Sequence, residues 1–203
     1  LVSQSYPTNS PISSRPDWRP GHGKPGESLP DMQKQALDKF DVAYGICNPL
    51  YGVQMVFSED MQDAFCRALN DWLAREWLDK DARLRGSIVI PTQSVEKSVA
   101  EIERCAKDRR FVQVLMLVMG DMPLGKRADW PIYAAAERLG LPIGIHAGSA
   151  YHNPPTSVGW GSYHIEDYVA QAQAFQTQLT SLIVEGVFAR HPNLKMVMLE
   201  SGW

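Results

Sequence analysis

No stretch of this 203-residue chain is apolar over the ~20 residues needed to cross a bilayer. The first residues, Leu1-Val-Ser-Gln-Ser-Tyr6, lack the basic-then-apolar layout of a secretion signal. Neither membrane attachment nor export is therefore expected. Basic residues do not outnumber acidic ones, and the formal net charge is -3, so the electrostatic footprint of a nucleic-acid binder is missing. Cysteine is scarce. Cys47, Cys66 and Cys105 are odd in number and scattered, with no CxxC pair, which argues against a disulfide framework and a cysteine zinc site. They read as small core residues of a cytoplasmic protein. No Gly-x-Ser-x-Gly elbow occurs, and Ser201 stands before its only adjacent glycine, which disfavours a serine hydrolase. No glycine-rich phosphate fingerprint follows the first apolar strand, which disfavours a Rossmann domain.

What is present is a regular alternation. Residues 1–30 form a loop by composition, rich in Pro, Ser and Gly, and 31–203 form one domain. Within that domain the pattern predicts helices at 31–40, 58–78, 95–107, 129–139 and 165–190. Strands are predicted at 42–47, 87–91, 111–118, 141–146 and 194–200. Ser58 and Asp129 sit at helix-capping positions, and Gly140 closes the fourth helix. The strands are unbroken apolar runs, as a parallel sheet buried on both faces requires. Strict βα alternation fits a barrel or a doubly wound sheet, and polar residues at the carboxyl ends of such strands converge on one face.

Those ends supply the candidate chemistry. His146 closes the strand Leu141-Pro-Ile-Gly-Ile-His146, where a ring nitrogen can meet a metal or a proton in transit. Glu200 closes the last strand, and a carboxylate buried there must be paired, metal-bound or protonated. Asn48, Thr92 and Gln93 follow two other strands and are expected to line the same pocket. Beyond His146 lie His152, Trp160, Tyr163 and His164. Trp160 and Tyr163 are candidates for substrate contact and His164 for catalysis. His22 and His191 read as structural or solvent-facing.

Three stretches resemble the amidohydrolase-related group that includes the aminocarboxymuconate-semialdehyde and resorcylate decarboxylases. They are Asp129-Trp-Pro-Ile-Tyr-Ala-Ala-Ala-Glu-Arg-Leu-Gly-Leu-Pro-Ile-Gly-Ile-His146, Gly186-Val-Phe-Ala-Arg-His-Pro-Asn-Leu-Lys-Met-Val-Met-Leu-Glu200 and Leu84-Arg-Gly-Ser-Ile-Val-Ile-Pro91. The resemblance implies a metal-dependent (β/α)8 TIM barrel that hydrolyses or decarboxylates a small aromatic or unsaturated carboxylate. It places His146 as a ligand of a divalent metal, zinc first and manganese second. Glu200 stands where the family often has a histidine that helps with proton transfer. A first-strand His-x-His or Glu-x-His is not found before residue 40, and the family's last-strand aspartate would lie beyond Trp203. The five strands would then be the second to sixth of eight, in a fold that takes ~250 residues. A fragment is expected, with open sheet edges that favour a homo-oligomer. A degenerate small-molecule-binding scaffold and a metal-independent Glu/His acid-base enzyme are the rival expectations.

Overall fold

The computed structural model describes residues 27–50, 52–149 and 153–202. Most of the 1–30 loop expectation therefore lies outside the described residues. Its last two residues belong to helix α1 (Leu29–Met32), which continues as one wider turn, Gln33–Leu37. Ser28 starts α1 because its hydroxyl accepts the Asp31 N–H, and Pro30 in the first turn has no N–H to leave unmet.

The remaining elements alternate. They are β1 (Gly45–Cys47), α2 (Glu59–Leu73), β2 (Leu84–Val89), α3 (Val95–Cys105), β3 (Phe111–Met119), α4 (Trp130–Leu139), β4 (Ile143–Ser149), α5 (His164–Val184), α6 (Val187–Arg190) and β5 (Met196–Leu199). All adjacent strands are parallel, and their spatial order is their chain order, β1-β2-β3-β4-β5. Right-handed crossovers that always step in one direction put every helix on one face, which is how a barrel wall is built. A doubly wound sheet reverses direction partway, and this one does not.

Burial separates the two faces. Ile88, Ile90, Val114, Met116, Val118, Ile143 and Ile145 share one cluster with the helix residues Ile102, Tyr133, Ala136, Phe175 and Leu182. The residues between them, Val89 and Leu115, fall in a second cluster with Leu50, Val53 and Leu199. Two-residue periodicity thus gives a helix-covered outer face and a distinct inner face. The inner face carries polar groups too. Gln113 Nε2 donates to Asn48 Oδ1 at 2.9 Å and to Ser87 Oγ at 2.7 Å, and Ser87 Oγ lies 2.7 Å from Asn48 Oδ1.

Between α2 and α3 the fully buried Glu101 carboxylate accepts from Asn70, Arg104 and Cys105. Burial pushes its pKa up, but these donors, Arg104 foremost, outweigh burial and hold it below the ordinary carboxylate value. Asn70 also bonds the N–H and C=O of Val89, standing in for a strand partner at the end of β2. The three cysteines are free thiols, and burial pushes Cys47 up to about 11 and Cys66 up to about 12.

Two helix-end expectations change. The predicted helix 165–190 is two helices, because Gly186 sits between α5 and α6 with φ of 83°, a left-handed turn that a side chain would disfavour. Asp129 occupies the N-cap position of α4 without bonding it. It ends a 3-10 turn, Arg127–Asp129, at φ -85° and ψ -8°, and an N-cap acceptor ordinarily needs an extended backbone. Left half-buried, its carboxyl is pushed up by burial to about 6 from an ordinary 3.8. The folded state then holds this proton more firmly than the unfolded chain does. Its contribution is most favourable below pH 3.8 and is lost as pH rises to about 6. Asp129→Asn is expected to raise stability above that window and flatten the pH dependence within it. Denaturation midpoints of both proteins on either side of the window check this, and an unchanged pH profile would refute it.

Candidate functional site

His146 lies near the end of β4, in register with Leu117 of β3 and Leu199 of β5. Ile143 and Ile145 face the helices, so His146, next along the strand, projects to the inner face. Its side chain is buried, with Nδ1 2.6 Å from the Ala147 carbonyl oxygen. A carbonyl only accepts, so Nδ1 carries a hydrogen, and in the neutral ring the lone pair is then on Nε2. Nε2 lies 3.9 Å from Oε2 of Glu200. One imidazole lone pair beside one carboxylate is a donor set that zinc and manganese both accept. Among the described residues no group of three or more His, Cys, Asp or Glu could hold a metal ion.

Glu200 departs from its sequence expectation. β5 ends at Leu199, and the Glu200 side chain is 72% exposed instead of desolvated. Its φ of 58° is a left-handed conformation, costly for a side chain with a Cβ. Such outliers cluster where function over-determines the backbone.

The other candidates divide. Asn48 is held inside the Asn48-Ser87-Gln113 network on the inner face, where Gln113 precedes Leu117, the register partner of His146, by two inner-face positions on β3. Gln93 works as a fastener: its backbone N–H donates to Gln62 Oε1, and its Nε2 donates to the Val56 carbonyl. Thr92 is exposed at the end of β2. Trp160 and Tyr163 are also exposed, at 60% and 75%, with Tyr163 at the start of α5. The N–H groups of Ser162 and Tyr163 both donate to the Glu166 carboxylate, which fixes the approach to α5. His164 opens α5, and its side chain and His152 lie outside what is described. Among the described candidates, His146 and Glu200 are the pair whose side chains come within 4 Å of each other.

Residues not singled out from sequence hold the site together. Gln171 and Gln178 lie two turns apart on α5, both buried. Gln171 Oε1 accepts the Gly148 N–H at 3.0 Å, two residues from His146. Gln178 Nε2 donates to the Val118 carbonyl, and its Oε1 accepts the Leu124 N–H, both at 2.7 Å. The only sequence signal was spacing: glutamines seven apart on a helix share a face.

The chain matches the family model described as amidohydrolase over residues 5–203. It belongs to the amidohydrolase family. It is similar to gamma-resorcylate decarboxylase of Rhodococcus jostii, at 24% identity over 199 residues, covering 88% of this chain and 60% of that protein. It is also similar to 2-amino-3-carboxymuconate-6-semialdehyde decarboxylase of Dictyostelium discoideum, at 28% identity over 182 residues, covering 85% and 48%. Among solved structures, the dihydroxybenzoic acid decarboxylase of Polaromonas sp. JS666, with bound manganese and 2-nitroresorcinol, superposes with a TM-score of 0.63. That pair is 22% identical and covers 84% of this chain and 54% of the other. The amidohydrolase chain thus spans about half to three fifths of the proteins it matches, and its five-stranded sheet has the fold of the corresponding part of their barrel.

Proposed function

We propose that this amidohydrolase chain carries part of the active site of a metal-dependent carboxy-lyase or hydrolase acting on a small aromatic or unsaturated carboxylate. The observation that carries the reading is the presented Nε2 of His146, buried, aimed along the inner face and 3.9 Å from a carboxylate. The decarboxylase relatives support the substrate class. His146 would be one protein ligand of the metal, with Glu200 beside it, and the remaining ligands would come from outside the described residues. When bound, the metal would polarise a substrate carboxylate or activate a water.

The chain's own residues then have separate tasks. His146 keeps its lone pair toward the metal position because its other nitrogen is committed to the Ala147 carbonyl. Glu200, at 72% exposure open to both solvent and substrate, takes or gives the proton. Thr92, Trp160, Tyr163 and His164 would border the substrate from the strand end and the α5 entry. Asn48 and Gln93 would support the pocket from beneath. Zinc is the first candidate metal, and manganese is the second, on the strength of the Polaromonas relative. The free thiols support a cytoplasmic location. The edge strands β1 and β5 offer surfaces for a homo-oligomer.

Elemental analysis of the purified full-length protein is the direct test, with about one equivalent of divalent metal per chain expected and its identity deciding between zinc and manganese. A second reading, metal-free acid-base catalysis by the His146-Glu200 pair, is favoured by their direct proximity. Turnover that survives chelation, in protein shown to be free of metal, would overturn the metal reading in favour of that pair.

A further inference from the structure

The peptide between Ala147 and Gly148 holds two bonds at once. Its carbonyl accepts from His146 Nδ1, at 2.6 Å, and its N–H donates to Gln171 Oε1, at 3.0 Å. The sheet explains why a side chain is needed there. Pairing between β3 and β4 runs from Leu117↔His146 to Met119↔Ser149, so two steps on β3 face three on β4. An extra residue of this kind leaves the ladder without its regular bonds. The 147–148 peptide lies inside that irregular stretch, where no regular Cα pairing with β3 helps to set which way its carbonyl points.

Gln171 supplies that constraint. It is 8% exposed, and its Nε2 donates to Met119 Sδ at 3.3 Å, so the amide group is anchored to β3 while its oxygen reaches β4. The orientation of the amide is coupled along a line: Gln171 Oε1, the Gly148 N–H, the Ala147 C=O, then Nδ1–H of His146. A turned peptide would present an N–H to Nδ1 and force the hydrogen to the other ring nitrogen, occupying the lone pair that faces Glu200.

We propose that Gln171 is a positioning residue that selects the Nδ1–H tautomer of His146 through the Ala147–Gly148 peptide. The consequence for a metal rests on the reading of His146 as its ligand, whereas the tautomer does not. Side-chain ¹⁵N correlation spectra of the full-length protein without metal read the tautomer directly. Wild type is expected to show Nδ1 protonated and Nε2 bare. Gln171→Met, which preserves volume but replaces the amide oxygen with a weak sulfur acceptor, should lower the Nδ1–H fraction several-fold, and Gln171→Glu, which keeps an oxygen acceptor, should restore it. A folded Gln171→Met protein with the wild-type tautomer would overturn the proposal. If that variant does not fold, hydrogen exchange of the Gly148 amide in wild type decides: slow exchange supports the bond and fast exchange from an otherwise protected β4 overturns it. Titration with Mn²⁺ separates the two readings. Selective broadening of His146 Nε2, with affinity about 10–100-fold weaker in Gln171→Met, is the weakening that loss of an orienting partner produces. No broadening in wild type would sink the metal reading and leave the tautomer result standing.

Discussion

His146→Ala in the full-length protein is expected to abolish metal retention and to lower kcat/KM by roughly 10³-fold or more, the scale of several kcal/mol of lost charge stabilisation. The reasoning is geometric. His146 is the one buried imidazole aimed at a carboxylate on the inner face among the described residues, and its Nδ1 is already committed. No nearby described donor completes a site in its place. The substitution also removes a buried ring, so a loss of stability in the range of about 1–3 kcal/mol is expected alongside. The two effects are separable because metal content is measured on the folded fraction. Retained stoichiometric metal and near-normal turnover would overturn the assignment. Lost turnover with metal retained would shift the role of His146 to proton transfer.

Gly125→Ala is expected to be the most damaging small substitution in the described fold, at about 3 kcal/mol or more. A Cβ at Gly125 would lie 2.2 Å from the Ser181 carbonyl oxygen and 2.5 Å from its carbon. Both are backbone atoms of α5, so no side-chain rotation relieves the clash. The loop cannot lift away cheaply either. The Gly125 N–H donates to Ser181 Oγ, the neighbouring Leu124 N–H donates to Gln178, and Lys126 pairs with Glu185. From the other side, Trp130 Nε1 and the Tyr133 hydroxyl donate to the carbonyls of Gly125 and Leu124. The loop between β3 and α4 is therefore clamped between two helices, and one added methyl group acts on all of these bonds together. Denaturant titration checks this, with the midpoint falling and the slope unchanged. A loss under about 1 kcal/mol would show that α5 yields more readily than the packing implies.

The framework of the fold was legible in the sequence because parallel strands covered on both faces are unbroken apolar runs, and each helix between them is amphipathic. Val89 and Leu115 alternate with Ile88 and Val114 between two clusters, yet all are apolar, so the strands announce themselves while their faces do not. Helix ends were less legible. Ser58 and Ser94 cap as their type suggests, each accepting from the third residue on. Asp129 does not, because a preceding 3-10 turn, invisible in composition, sets its backbone.

The site was legible in outline only. A histidine ending an apolar strand marked His146. The bond that gives it one tautomer depends on a register shift between β3 and β4 and on a glutamine 25 positions later in the chain, and neither leaves a local pattern. Glu200 was singled out as a buried carboxylate. Its side chain is exposed because the strand stops one residue earlier, at a left-handed turn.

By itself, then, the sequence determined the alternation of elements, the parallel sheet and the strand ends that carry polar groups, since local periodicity and burial suffice for those. Only the tertiary structure decided which polar groups meet, which ones brace the fold and which ring nitrogen of His146 stays bare. Those outcomes depend on contacts between residues far apart in the chain, where a distance of a few tenths of an ångström separates a bond from a clash.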